Sequence, residues 1–66
     1  MPDKQTVGER LRELRGERSR EEVAIAAGVT AQAITNYEVG IRTPSDDIKC
    51  KLANYFGKTV QEIFFD

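Results

Sequence analysis

Histidine and tryptophan are absent from this 66-residue chain, and cysteine occurs once, as Cys50. Without histidine, the usual zinc ligand sets and the Cys-His and Ser-His nucleophile pairs cannot form. A lone cysteine excludes an internal disulfide and agrees with a reducing compartment. Because no acid, base and nucleophile can be grouped without histidine in so short a chain, we expect no enzyme, no catalytic residue, no metal and no cofactor.

Long apolar runs are also missing, since no stretch approaches the roughly 18 residues of a membrane span. The start, MPDKQTVGER, lacks the apolar centre and small-residue cleavage site of a signal peptide. The sequence therefore predicts a cytoplasmic protein with no membrane partner. Its length leaves room for one small domain, and we expect no small-molecule ligand in it.

Net charge is small, at -1, which by itself argues against nucleic acid, because Lys and Arg supply the affinity for phosphates. The distribution is uneven, however. The first twenty residues contain six basic and four acidic residues, whereas the remainder contains four basic and seven acidic ones. This asymmetry permits a basic edge.

Helix-start signals occur five times along the chain. In three of them Ser or Thr precedes Glu by three residues, the spacing of a capping box: Thr6 with Glu9, Ser19 with Glu22, and Thr59 with Glu62. Thr30 and Ser45 mark two further starts. Apolar residues recur at helical spacing after each signal. The pattern predicts helices over 6–17, 20–27, 31–39, 46–56 and 60–65.

This pattern predicts an all-α fold, a compact domain of five helices over residues 6–66, preceded by a flexible arm of residues 1–5. No stretch alternates as a half-buried strand does. The first helix is expected to end at Gly16 or soon after. Cys50 is expected to be a small buried hydrophobe, and Phe65 an exposed residue on a dimer surface.

Between residues 20 and 39, small and apolar residues occur in the order that a helix-turn-helix requires. A steep crossing of two helices needs a small residue where they approach and a residue that tolerates positive φ at the corner. The predicted packing set is Val23, Ala24, Gly28, Val29, Ile34 and Tyr37. Together these residues indicate a helix-turn-helix more specifically than any one of them.

The stretch SREEVAIAAGVTAQAITNYEVGIRTPS resembles the Cro and phage-repressor-type (XRE-like) helix-turn-helix family, and the likeness extends over about residues 7–65. The resemblance implies a lambda-repressor-like domain that binds operator DNA as a regulator, usually a repressor. It also implies that the third helix enters the major groove and that the second lies across the DNA backbone.

The outward positions of the third helix suit base edges, since Gln and Asn bond adenine and small methyl groups contact thymine. The predicted base-contacting residues are Ala31, Gln32, Thr35 and Asn36. They predict a half-site rich in A and T. The alternative, small fillers on a solvated face, fits less well, because such a face normally contains Lys and Glu.

Contacts with DNA phosphates follow from the resemblance. The predicted residues are Arg15, Arg20, Thr30, Arg42 and Thr43. Arg20 stands where the family commonly has Gln, and simple solvation is the alternative for any single surface arginine. The resemblance also implies a structural ion pair between Arg15 and Glu38.

Two functions of different classes remain open at this point. The first is a sequence-specific repressor that inserts residues 31–39 into double-stranded operator DNA as a homodimer. The second is a protein-interaction module, such as an antitoxin-like protein or a co-regulator, with DNA binding secondary or absent. A positive potential around Arg15, Arg20 and Arg42 would favour the first.

Overall fold

The computed structural model describes residues 2–66, which form five helices and no strand. The helices are α1, Lys4–Arg15; α2, Arg20–Ala27; α3, Ala31–Val39; α4, Asp46–Phe56; and a short π-helix, Gln61–Phe65, named here the C-terminal helix. The predicted all-α domain of five helices is confirmed. Within the described range, every helix is too short or too polar to cross a membrane.

Hydroxyl side chains begin three of these helices. Ser19 Oγ accepts the backbone N–H of Glu22 at 3.1 Å, and Thr30 Oγ1 accepts that of Ala33 at 3.1 Å. Ser45 caps α4 in the same way. Each bond satisfies an amide that a helix leaves unpaired in its first turn. The bounds of α2, α3 and α4 accordingly match the predicted ones.

The first helix begins at Lys4, two residues earlier than predicted. Asp3 is its N-cap, because Asp3 Oδ1 accepts the Thr6 backbone N–H at 2.8 Å. The bond lowers the pKa of the Asp3 carboxyl, since it stabilises the charged form. The predicted arm of residues 1–5 is corrected accordingly: its residues 4 and 5 are helical, and residue 1 lies outside the described range.

Two other helix ends differ from the predicted bounds by one or two residues. α1 ends at Arg15, because Gly16 turns the chain with a positive φ of 58°. The C-terminal helix begins at Gln61. Before it, Thr59 and Glu62 form the predicted capping box: the Thr59 N–H donates to Glu62 Oε1 at 2.9 Å, and the Glu62 N–H donates to Thr59 Oγ1 at 3.1 Å.

All five helices contribute to one apolar core. Leu52, Ile63 and Val23 are each 1% exposed and lie at its centre. The buried members are Val7, Leu11, Val23, Ala24, Ala27, Ile34, Leu52, Ala53, Ile63 and Phe64. α3 packs against both α1 and α2, and α2 also packs against α4. The core therefore fixes the orientation of α3.

α1 crosses the end of α3 at a glycine. A Cβ added to Gly8 would lie 2.7 Å from the Tyr37 carbonyl oxygen and would clash more severely with that of Glu38. Because these are backbone atoms, they cannot move aside as the end of a side chain does, and position 8 accepts only hydrogen. Glycine inside a helix costs about 1 kcal/mol relative to alanine. The close approach of α1 to α3 explains why it is present.

Two expectations for the C-terminal half are wrong. Cys50 is exposed, because the buried face of α4 runs through Leu52 and residue 50 lies nearly opposite it on the helix. Phe65 is partly buried and packs against the core beside Phe64. The wider turn of the π-helix brings consecutive side chains closer to one face than an α-helix does.

Candidate nucleic-acid interface

The corner between α2 and α3 is a tight turn at Gly28. This residue ends α2 in the left-handed conformation, with φ 71° and ψ 33°. The following N–H, of Val29, donates to the Ala24 carbonyl oxygen at 3.0 Å. Ala24 is 3% exposed, so its small side chain lies where the helices approach. The structure buries Val23 and Ile34 and packs Val29 and Tyr37 against the same core.

The side of α3 that runs from beside the buried Ile34 round to the opposite face is polar and small in the first six residues of the helix. It consists of the four residues predicted to contact bases: Ala31, Gln32, Thr35 and Asn36. Gln32 is exposed and the other three are partly buried. Thr35 Oγ1 donates to the Ala31 carbonyl oxygen at 3.2 Å, which uses its proton inside the helix. Gln32 Nε2 donates to Asn36 Oδ1 at 3.1 Å. Sequence reasoning treated these amides separately and missed their bond.

A buried carboxylate stabilises the opposite side of α3. The Glu38 side chain is 2% exposed, and arginines from two other parts of the chain bind it. Arg15 donates through Nε to Oε2 at 2.7 Å and through Nη2 to Oε1 at 3.2 Å. Arg20 donates through Nε to Oε1 at 3.2 Å. Two guanidinium groups thus compensate a charge whose burial would otherwise be unfavourable.

The two arginines differ in how much of each remains accessible. The Arg15 side chain is 16% exposed, and its Nη1 also donates to the Arg18 carbonyl oxygen at 2.8 Å. The hydrogen bond to Glu38 raises the pKa of Arg15 above its already high ordinary value. The Arg20 side chain is 41% exposed and, within residues 2–66, bonds only to Glu38. Arg20 therefore has more donor capacity left for an external anion than Arg15.

Sequence reasoning paired Glu38 with Arg15 alone and missed Arg20. The one available signal was that an arginine occupies the first position of α2, where glutamine is common in the family. The Gly8 contact with the end of α3 was also missed. A glycine inside an otherwise helical pattern often has a packing reason, and that signal was present.

The loop after α3 is attached to that helix through the backbone. The N–H groups of Ile41 and Arg42 donate to the Asn36 carbonyl oxygen at 3.0 and 3.3 Å. Arg42 and Thr43 are exposed in this loop, and Thr30 is exposed at the other end of α3. The predicted phosphate-contacting residues therefore flank α3 on both sides, whereas most donors of Arg15 are used within the protein.

Known helix-turn-helix proteins resemble this chain in sequence pattern and in fold. The helix-turn-helix family model matches residues 9–63. The restriction-modification controller protein C.AhdI from Aeromonas hydrophila is 32% identical, with a TM-score of 0.82, over 91% of this chain and 94% of that protein. Among curated proteins, no sequence matches significantly.

Two further solved structures share the fold. The P22 c2 repressor in complex with a synthetic operator is 21% identical, with a TM-score of 0.88, over 92% of this chain and 96% of the repressor. The SOS-response repressor LexA from Eubacterium rectale is 27% identical, with a TM-score of 0.84, over all of this chain and 74% of that one. The first of these shows likeness of fold alone.

Proposed function

The chain belongs to the helix-turn-helix family of DNA-binding regulators, and we propose that it is a sequence-specific transcriptional repressor that inserts α3 into the major groove of operator DNA. The observation that supports this most directly is the polar face of α3, with Gln32 exposed at its centre. An α-helix fits the major groove, where each base pair presents a distinct set of donors and acceptors. A face of amides and methyl groups matches those sets.

Base recognition is assigned to four side chains of α3. Gln32 has an amide group that bonds adenine, Asn36 has an amide group that contacts a second base, and Ala31 and Thr35 have methyl groups that contact the thymine methyl. An operator half-site rich in A and T follows from these assignments. Selected half-sites made only of G and C would contradict them.

Phosphate contacts are assigned to residues around that face. Arg20 and Arg42 supply charge, and the hydroxyls of Thr30 and Thr43 supply hydrogen bonds. Arg15 binds Glu38 and so positions the end of α3. Its remaining N–H groups are assigned to a phosphate contact. Since the net charge is only -1, most of the affinity for phosphate comes from these few groups.

The repressor is proposed to act as a homodimer, because one recognition helix contacts few bases and two half-sites about 10 base pairs apart multiply the affinity. Since Phe65 is partly buried, we place the interface on the exposed apolar surface at the end of α3, Val39 and Ile41, which are 55% and 66% exposed. Sedimentation of the wild type and of Ile41→Asp tests this choice. A dimer unaffected by Ile41→Asp places the interface elsewhere.

We assign the protein no catalytic, metal or cofactor role and place it in the cytoplasm, where its DNA partner is. The three similar solved structures described above are named as a controller protein and as repressors. That naming supports a binding function.

Selection of bound sequences from a random pool of DNA duplexes, at one fixed salt concentration, tests the proposal. Wild type is expected to enrich an inverted repeat, and Gln32→Ala is expected to alter or lose it. Gln61→Ala is the matched control, because Gln61 is an exposed glutamine on the C-terminal helix, outside the proposed face. Folded wild-type protein that enriches nothing would overturn the proposal and favour the protein-interaction module.

A further inference from the structure

We propose that Gln32 and Asn36 recognise the operator as one hydrogen-bonded pair, in which Gln32 selects adenine and Asn36 selects guanine or thymine. This inference rests on the proposed function, because it concerns the same face of α3. It differs from independent recognition, in which both amides would select adenine.

The geometry of the pair is simple. Gln32 and Asn36 are four residues apart on α3, a spacing at which side chains of one helix meet. The Gln32 Nε2 group donates to Asn36 Oδ1 at 3.1 Å, within the ordinary range for an N–H···O hydrogen bond. The donor side chain is exposed and the acceptor is partly buried. The bond therefore lies on the surface that would face the DNA.

The bond divides donors and acceptors unequally between the two side chains. A glutamine amide has one oxygen and two N–H groups, and Gln32 uses one N–H on Asn36. Gln32 keeps an oxygen acceptor and one donor. Adenine presents N6 as a donor and N7 as an acceptor in the major groove, so Gln32 remains complementary to it.

Asn36 keeps a different set of hydrogen-bond donors and acceptors. One of the two lone pairs on its oxygen already accepts the Gln32 N–H, whereas neither N–H group of its Nδ2 has a partner within residues 2–66. Asn36 therefore presents mainly donors to the groove. Guanine offers two acceptors, N7 and O6, and thymine offers O4, whereas the N6 amino group of adenine and the N4 amino group of cytosine would face another donor.

The test is duplex selection with the wild type and four variants. Gln32→Ala and Asn36→Ala remove one partner each, and their combination removes both. Asn36→Asp keeps an oxygen that accepts the Gln32 N–H but has no N–H to donate. Circular dichroism of each variant verifies folding, which these surface substitutions should preserve. Each column of the selected-sequence alignment gives the base preferences at one operator position. The column that loses its preference in a single Ala variant identifies the base that the substituted residue contacts.

Coupling between the two columns is the expected result. Gln32→Ala should shift the base preferred at the position that Asn36 contacts towards adenine, because both lone pairs of the released Asn36 oxygen can then accept from the DNA. Asn36→Ala should lower adenine enrichment in the Gln32 column by about twofold, the effect of losing one such i,i+4 contact. Asn36→Asp should preserve the Gln32 column and lose guanine and thymine in its own. The double variant should flatten both columns.

Failure of this inference and failure of the proposed function give different results. If the wild type enriches an operator but each variant changes only its own column, the paired mechanism is wrong and the repressor proposal stands. Adenine in both wild-type columns also contradicts the pair. If folded wild type enriches no sequence, both proposals fail.

Discussion

Glu38 and Glu22 are both glutamates paired with arginine, but they lie in different environments. The Glu38 side chain is 2% exposed and lies between Arg15 and Arg20. The Glu22 side chain is 57% exposed, and its Oε2 lies 3.9 Å from Arg18 Nε. Water solvates the second carboxylate whether or not the arginine is present, whereas the first depends on its two partners.

The neighbours of Glu22 show what an exposed contact does. The Tyr55 hydroxyl donates to Glu22 Oε2 at 2.7 Å, and this bond raises the pKa of Tyr55 by favouring its protonated form. The Arg18 guanidinium lies 5.4 Å from the centre of the Tyr55 ring. These contacts arrange the surface of α2 and α4. We therefore expect burial, more than the number of contacts, to decide which carboxylate stabilises the fold.

Glu38→Gln should have the largest effect. The change leaves two arginines facing a neutral, buried amide, and breaking a buried ion pair costs about 3 kcal/mol or more. In a domain of this size such a loss lowers Tm by more than about 10 °C. Thermal unfolding followed by circular dichroism measures it. DNA binding per folded molecule should also weaken, because Glu38 orients both arginines.

Glu22→Gln is the matched control for that measurement. It makes the same chemical change in an exposed carboxylate, so an equal loss of stability in the two variants would refute the comparison. Unchanged DNA binding by folded Glu38→Gln would leave Glu38 with a structural role only.

Arg15→Met and Arg20→Met separate the two partners of Glu38. Arg15 makes two of the bonds and is the less exposed arginine, so its loss should cost about 2 kcal/mol in the free energy of unfolding. Arg20→Met should cost less stability but weaken DNA binding more strongly, because methionine has no N–H group to donate to a phosphate. Denaturant unfolding and duplex titration, run on both variants, measure the two effects. The opposite order in binding would assign the phosphate contact to Arg15.

The contribution of the exposed Glu22 contacts is measured with Tyr55→Phe, Arg18→Gln and the double variant. Each should cost less than about 1 kcal/mol, because exposed ion pairs and hydrogen bonds compete with water. Raising the salt concentration should reduce the Arg18 effect and leave the Glu38 effect largely unchanged. A loss of stability as large as that of Glu38→Gln would show that the exposure of a carboxylate does not predict its contribution to the free energy of unfolding.

The smallest effect is expected at the capping box before the C-terminal helix. Hydrogen bonds from the Thr59 backbone and side chain lower the pKa of the Glu62 carboxyl, so the folded protein binds this proton less tightly than the unfolded chain. Its stabilisation is complete above the unfolded value of about 4.3 and is lost as pH falls through the lowered folded value. Unfolding measured from neutral to acid pH should show the difference between wild type and Glu62→Gln narrowing below about pH 4. A constant difference would contradict the assignment.

Much of the fold could be predicted from local signals. Ser19, Thr30 and Ser45 each stand before an apolar helical pattern, and glycine follows it, so both ends of α2, α3 and α4 were marked. The start of α1 was ambiguous, because Asp3 and Thr6 are both good N-caps and only packing of the first turn decides between them. Cys50 was misplaced although its helical position already set it away from Leu52.

Local sequence signals also predict one part of the candidate site and miss another. The face of α3 follows from helical spacing once Ile34 is taken as buried. The contact of Arg20 with Glu38 joins residues 18 positions apart and exists only because α2 and α3 cross at Gly28. No local pattern encodes it. The Gln32 and Asn36 bond has a readable i,i+4 spacing, but two amides that each suit a base give no reason to look for a bond between them.

Asn36 holds the following loop through its carbonyl oxygen, to which the N–H groups of Ile41 and Arg42 donate. Every amino acid has that oxygen, so the loop keeps its attachment whatever side chain occupies position 36. Under the proposed function, substitutions at this position change which operator is preferred and leave in place the loop that contacts the DNA phosphates. On that proposal, one substitution at position 36 gives a new operator preference without loss of the contacts that the loop makes with phosphates.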